Sequence, residues 1–170
     1  MNVKEGVKIE GFSRVRIVDP DGKIAGDSGW TGPNTIVDLG FMQYLCMSLG
    51  SEAGSKYVAY VRLGEGGAPG TTDTELESQC VGTNAIPFSK GVTAGSVANH
   101  TEQFTATFGS SDAFITTSTS EDIANIGLYD VTYHANTHGT LFAGNTYTSS
   151  TCASNQDVQI TYQIRFSTPA

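Results

Sequence analysis

Short segments rich in β-branched and aromatic residues recur along the chain, and turn-forming residues separate them. Residues 7–18 alternate apolar and polar side chains and lead into a turn at Asp19-Pro20-Asp21-Gly22, and residues 57–63 are almost wholly apolar. Such segments are typical of antiparallel strands joined by hairpins, in which Pro sets the turn and Gly takes a positive φ. Further strands are predicted at 85–89, 102–108, 113–117, 123–131, 140–148 and 158–167. The pattern predicts an all-β fold, an antiparallel β-sandwich resembling a jelly roll.

One segment has helical spacing instead. Between residues 34 and 50, apolar side chains recur at intervals of three and four: Val37, Phe41, Met42, Leu45, Cys46 and Leu49. Asn34 or Thr35 is suited to cap the N-terminus of this helix, and Gly50 is suited to end it. We therefore expect one short amphipathic helix over 34–50 that packs its apolar side against the sheet.

The length of 170 residues suits a single domain. We predict one domain over 1–170, with an N-terminal arm and hairpin in 1–30, the helix in 34–50 and the remaining strands in 57–167. Thr, Ser and Gly make up 57 of the 170 residues. All three are poor in helix interiors, so this composition favours strands and turns.

The charge balance excludes one class of partner. Nine Lys and Arg face 17 Asp and Glu, which gives a net charge of -8. Nucleic-acid affinity comes mainly from clustered cations, so no nucleic-acid partner is expected.

No run of apolar residues approaches the length of a transmembrane helix, so no membrane partner is expected either.

The three cysteines do not have the spacing of a zinc site. Cys46 lies in the apolar helical segment and is expected to be a small buried hydrophobe. Cys80 and Cys152 would form a disulfide only if the fold brings them together.

Two motifs resemble catalytic or ligand-binding sites by their letters. Gly26-Asp27-Ser28-Gly29 matches the residues around the nucleophile of trypsin-like serine proteases, but every His follows it in the chain, so we interpret it as a loop. The loop 64–70 is glycine-rich but extends through Pro69 instead of opening a helix. A phosphate-binding loop needs that helix N-terminus, so we interpret this segment as a flexible surface loop.

His134 and His138 are four residues apart, a spacing that can share a metal on a helix. Asn136 and Gly139 mark a turn around them, which favours solvent-exposed loop histidines. Small clusters of carboxylates, including Asp112 and nearby Glu121, are explained by turn chemistry. We predict no catalytic residue, no cofactor and no metal site, and a small glycan hydrolase that depends on Asp112 or Glu121 remains the enzymatic alternative.

Three stretches, taken in order, resemble the structural proteins of tailed bacteriophages, especially head-decoration and tail- or fibre-associated proteins. They are 34–45, then 60–76, and finally 123–130 with 139–144 and 158–164. In the last of these, Ile126-Gly127-Leu128-Tyr129 resembles a strand of that family, and Asn125 stands where the family usually has an acidic residue. The resemblance implies a virion structural protein with a β-sandwich core and no enzymatic activity.

Within that class we expect a capsid decoration or cement protein on the capsid surface, bound to the major capsid protein. Val3, Val7 and Ile9 are the candidate contacts with the capsid. Sandwich edges are templates for pairing, so we expect a homo-oligomer, with a trimer favoured. The alternative is a tail or fibre component that binds a host receptor or glycan, with Tyr129, Tyr133 and Tyr147 as stacking surfaces.

Overall fold

A computed structural model describes residues 6–82, 85–112, 120–134 and 137–168. Within these ranges the chain forms ten strands and one short helix. The strands are β1 Lys8–Val18, β2 Ile24–Asp27, β3 Thr31–Ile36, β4 Tyr60–Gly64, β5 Lys90–Gly91, β6 Thr93–Ala98, β7 Thr101–Phe108, β8 Ser120–Tyr129, β9 Leu141–Ala153 and β10 Asp157–Ser167. The helix, α1, consists of a π-helical segment Gly40–Cys46 followed by an α-helical turn Met47–Leu49.

All pairings between the strands are antiparallel, and they make one nearly closed sheet with the order β5-β4-β8-β9-β3-β1-β10-β7-β6. Strand β3 joins the two halves, since Asn34 pairs with Gly11 of β1 and Ile36 pairs with Ala143 of β9. At the opposite corner, β5 pairs with β4 and β6 pairs with β7. Along the chain, only Val92 separates β5 from β6. The prediction of an antiparallel all-β fold with one short helix is confirmed.

The opening hairpin forms as its sequence predicts. Val15 and Ile17 of β1 are buried, and Arg16 between them is only partly buried. In the turn, the Gly22 amide donates to the Asp19 carbonyl at 2.9 Å, and Gly22 has a φ of 84°. β2 then pairs with the end of β1.

The predicted helix over 34–50 is wrong at its N-terminal end. Residues 34–36 belong to β3, where the burial alternates and Asn34 and Ile36 are buried. Asn34 therefore cannot cap α1, because its side chain lies inside the sheet. At the other end, the helix stops at Leu49 with Gly50 as its C-cap, as predicted, but the left-handed backbone belongs to Ser51 and not to Gly50. The two-sided pairing of β3 outweighs the local preference for helix in this stretch.

The predicted strand at 85–89 is also wrong, and a further observed strand was not predicted. The 85–89 segment forms only an isolated bridge between Pro87 and Val81, and the strand β5 begins after it. β6 was not predicted, because Thr-Ala-Gly-Ser-Val-Ala has little of the apolar alternation that marks a strand. The 113–117 prediction lies outside the described residues.

The main hydrophobic core fills the interior of the sheet, with Phe108, Ile123 and Val158 among its fully buried side chains. Cys80 and Cys152 both lie in this core, where the structure records them as thiols. Cys46, expected to be buried, is exposed, because it lies on the side of α1 that faces solvent.

The glycine-rich loop is largely exposed, as predicted, and it is attached to the sheet at several points. The fully buried Asn125 donates from Nδ2 to the carbonyls of Gly67 and Glu77, at 3.1 and 3.0 Å. A Cβ on Gly127 would lie 2.9 Å from Leu76, and a Cβ on Gly144 would lie 2.7 Å from Pro69. The loop is therefore packed closely onto β8 and β9 by residues that leave no space for a larger side chain.

Candidate functional site

An exposed apolar groove lies at the end of the sheet where β1 begins and β10 ends. We call it the end groove, and its apolar lining consists of Val7, Ile9, Leu45, Leu49 and Phe166. Its volume is about 490 Å³. Val7 is 71% exposed and Leu49 is 90% exposed. Contiguous exposed apolar surface of this kind is typical of sites that bind a partner.

The end groove lies where the interior of the sheet opens to solvent. Ile9 of β1 and Phe166 of β10 are cross-strand partners. Both follow the alternation that directs Val15 and Ile164 into the core, but they lie beyond the buried part of each strand. The inward-facing surface of the sheet thus continues into solvent at this end.

Helix α1 forms the other wall because Tyr44 anchors it. The Tyr44 hydroxyl donates to the carbonyl of Thr140, and its ring lies 5.0 Å from the ring of Phe142. Burial raises the pKa of Tyr44 well above its ordinary value, so the hydroxyl stays protonated as a donor. With Tyr44 turned inward, Leu45 borders the groove and Leu49 extends into solvent.

A second cavity of about 250 Å³ shares Tyr44, Leu45 and Phe166 with the end groove and reaches towards the core. Phe104 and Ile164 line its inner part. An apolar side chain of a partner therefore has two adjoining cavities to fill, the end groove and this second cavity.

The described residues that line the end groove carry no charge. Its two remaining lining residues are Tyr44 and Ser48. The ion pair between Lys8 and Glu10, at 2.8 Å, lies on the neighbouring part of β1. The second cavity is lined by two charged residues, Lys56 and Glu102. Lys56 donates to Asp130 at 2.5 Å and to Thr140 at 2.6 Å, and Glu102 accepts from Ser96 Oγ at 2.8 Å. The groove suits an apolar, uncharged segment, because a charge buried there would have no partner.

Two of the three residues expected to contact a capsid, Val7 and Ile9, line this groove, and Val3 lies outside the described residues. The sequence did not predict the contribution of Leu45, Leu49 and Phe166. The available signal was the apolar stripe of α1, which extends past Tyr44 to the end of the helix. Its meeting with β10 depends on the tertiary fold.

A second polar site, the arginine cluster, surrounds the fully buried Arg62 of β4. Arg62 donates from Nε to Ser89 Oγ at 2.9 Å, from Nη1 to Gln79 Oε1 at 3.3 Å, and from Nη2 to the Val131 carbonyl at 3.0 Å. Its guanidinium lies 3.8 Å from the centroid of the Tyr129 ring. Burial lowers the pKa of Arg62, and these partners compensate for part of that desolvation.

The arginine cluster ties together three connections that meet at one end of the sheet. Gln79 lies before the bridge at Val81, Ser89 lies before β5, and Val131 follows β8. Nearer the surface, His138 Nδ1 lies 3.0 Å from Glu75 Oε1, and its ring stacks on Tyr133 at 4.6 Å. This arrangement fixes the loops in place.

The structure does not bring His134 and His138 together as metal ligands. His134 is exposed and forms a backbone bridge with Thr137, whereas His138 turns towards Glu75. Among the described residues, no group of three or more His, Cys, Asp or Glu side chains is arranged to hold a metal ion.

The protease-like motif has the interactions of a turn. Ser28 Oγ accepts from the Val15 amide at 3.0 Å and donates to the Gly29 carbonyl at 2.7 Å. Asp27 is held by Arg14 at 2.5 Å and Arg16 at 3.3 Å. These contacts close the loop after β2.

The candidate carboxylates and aromatic side chains are also placed by the structure. Asp112 accepts from Lys90 at 2.7 Å and from the Gly109 amide at 2.8 Å, while the side chain of Glu121 lies outside the described residues. Tyr129 and Tyr147 are buried, so of the three tyrosines proposed as stacking surfaces only Tyr133 reaches the surface.

Comparisons with protein-family models, with curated proteins and with solved structures found no match for this chain. In the part of the chain that the structure describes, no helix has the length and apolarity needed to cross a bilayer.

Proposed function

We propose that this protein is a virion structural protein of a tailed bacteriophage, a capsid decoration protein that binds the major capsid protein and stabilises the head. The observation that carries the proposal is the end groove, where Val7, Ile9 and Leu49 present contiguous apolar surface. The ordered resemblance of the sequence to phage structural proteins supports the identity of the partner.

The occupant of the groove is an uncharged apolar segment of the capsid protein. The lining is apolar, and the adjoining second cavity offers a place for a large side chain near Phe104 and Ile164. Burying such surfaces against each other supplies the main free energy of association, at about 25 cal/mol for each Å² removed from water. The net charge of -8 keeps the unbound protein soluble and disfavours contact with packaged nucleic acid.

The alternative is a tail or fibre component that binds a host receptor or glycan. The feature that favours it is the stack of Tyr133 and His138 beside the Glu75 carboxylate, since rings and carboxylates can contact sugars. Both the ring of Tyr133 and the Glu75 carboxylate already have partners within the chain, which makes this site less complete than the end groove.

The test is binding to phage heads that lack the protein, together with the temperature at which those heads rupture. We expect saturable binding and a raised rupture temperature, because a ligand that binds only the intact shell stabilises it. Leu49→Asp and Val7→Asp should abolish binding without unfolding the protein, since both side chains are largely exposed. Thr72→Asp, in an exposed loop, is the matched control.

Two outcomes overturn the proposal. Wild-type protein that attaches to tails or host cells but not to heads would favour the fibre alternative. Head binding that survives both Leu49→Asp and Val7→Asp would exclude the end groove as the docking surface.

A further inference from the structure

Strand β6 has an open edge. It stands at the end of the strand order and pairs only with β7, so the backbone groups on its other side have no strand partner among the described residues. All six of its residues are exposed, including Val97 at 52%. In the described ranges, no other segment buries a side chain of β6.

The other strands at the margins of this sheet are protected. At the other end of the strand order, β5 has only two residues. β2 is short, and Asp27 at its end is held by two arginines of β1. β6 has no charged residue and no Pro, which are the usual means of preventing edge pairing.

We propose that β6 pairs with the β6 strand of a second copy of this chain, antiparallel about a twofold axis, and extends the sheet across a homodimer. Pairing about a twofold axis makes the strand its own complement. Each copy carries a net charge of -8, so an uncharged strand is a place where two copies can meet without opposing like charges.

The geometry of β6 limits which of its residues can pair with the second copy. The register between β6 and β7 shifts between Ser96 and Ala98, so Thr93–Ser96 is the regular portion that can extend the ladder. The side of the strand bordered by Gln103 and Thr105 has a shallow groove of about 190 Å³. A twofold pairing gives a dimer, in place of the trimer that the sequence analysis favours.

Gly95 provides the test. A Cβ at this position would have no atom within 4 Å, and its φ lies outside the left-handed region, so a side chain can be added without strain. Gly95→Lys and Gly95→Glu each place like charges across the twofold axis, and we expect both to shift the mass in solution from twice 17.9 kDa to the single-chain value. Mixing the two variants should restore the dimer, because opposite charges then meet.

Light scattering after size exclusion, over a dilution series of the purified protein, measures the mass in solution of the wild type, of each variant and of the mixture. Thr72→Lys is the control that adds the same charge at an exposed position outside β6 and β7, and it should remain dimeric. A monomeric wild-type protein, dimers that persist in both Gly95 variants, or a mixture that remains monomeric would each overturn the proposal. The measurement needs no virus particle, so its failure is distinct from failure of the proposed function.

Discussion

The guanidinium of Arg62 lies over the ring of Tyr129 inside the protein, 3.8 Å from its centroid. Both residues are fully buried and come from neighbouring strands, β4 and β8. The Tyr129 hydroxyl also accepts from the Leu76 amide at 2.8 Å, which attaches the glycine-rich loop to the same pair. One cation thus connects the sheet to the loops that cover it.

Arg62→Ala should lower the free energy of unfolding by about 3–5 kcal/mol, because it leaves partly buried acceptors on Gln79 and Val131 without their donor and opens a cavity where the fully buried side chain lay. Urea denaturation measures the change. Arg165→Ala is the control, since Arg165 is exposed although it also lies over an aromatic ring, that of Phe12. Equal losses in the two variants would show that the buried hydrogen bonds contribute nothing.

Gly139→Ala tests the space beside the arginine cluster. Gly139 has a φ of 76°, and a Cβ there would lie 3.0 Å from Arg62 Nη2 and 3.1 Å from the Val131 carbonyl. Gly22→Ala, at a φ of 84° with nothing within 4 Å, carries only the backbone strain, about 1–2 kcal/mol. We expect Gly139→Ala to lower the melting temperature more than Gly22→Ala does, and a smaller effect would contradict the packing described.

Asn125→Asp tests how the glycine-rich loop is held. The substitution replaces a donor by a carboxylate oxygen facing the carbonyls of Gly67 and Glu77. We expect a loss of about 3 kcal/mol or more at neutral pH, because a buried charge is then left without a partner. Asn125→Ala should cost less, since it removes the donor without adding a charge. If Asn125→Asp is the milder of the two in thermal unfolding, the amide is not the anchor.

Asp27 gives the protein a stability that depends on pH. Its hydrogen bond with Arg14 holds the pKa of the Asp27 carboxyl well below the ordinary value of 3.8. The interaction therefore stabilises the folded state fully above that value, and the stabilisation is lost as the pH falls towards the folded pKa.

Asp27→Asn and Arg14→Gln should both reduce the fall in unfolding free energy between neutral pH and pH values below 3.8. The first removes the titrating group, and the second returns its pKa towards the ordinary value. Urea unfolding at a series of pH values measures the slope. A slope equal to that of the wild type in both variants would exclude this ion pair as its source.

The three thiols should differ in reactivity. Cys46 is exposed, whereas Cys80 and Cys152 are buried, and burial raises the pKa of the Cys152 thiol to about 11. A thiol-specific reagent at mildly alkaline pH should modify one cysteine per native chain quickly and all three after unfolding. Cys46→Ser should remove the fast phase, and a fast phase that persists would place a second thiol at the surface.

The parts of the fold that local sequence determines were predictable. The hairpin after β1 depends on Pro20 and Gly22 within four residues, and the alternation of Val15 and Ile17 marks the buried face. β3 was missed because its pairing partners, Gly11 and Ala143, lie far from it along the chain. Its six residues carry little signal of their own.

The candidate site was predictable only in part for the same reason. Val7 and Ile9 stand out as apolar residues near the N-terminus, but the opposite wall of the end groove comes from α1 and Phe166. For Arg62, the only local signal was a cation in an otherwise apolar strand, Tyr60–Gly64. Its partners come from three later segments, so no local pattern could identify them.

The pairing of β1 with β10 affects how the chain is made. The two strands match along their whole length, from Lys8 opposite Ser167 to Val18 opposite Asp157. During translation, β1 is synthesised long before β10, the last of the described strands, and has no β10 to pair with until then. Formation of this pairing, whose partners are up to 159 residues apart, is then a late event, and such non-local pairing is intrinsically slow. Until it occurs, the edge of β1 that β10 covers remains open to other nascent chains.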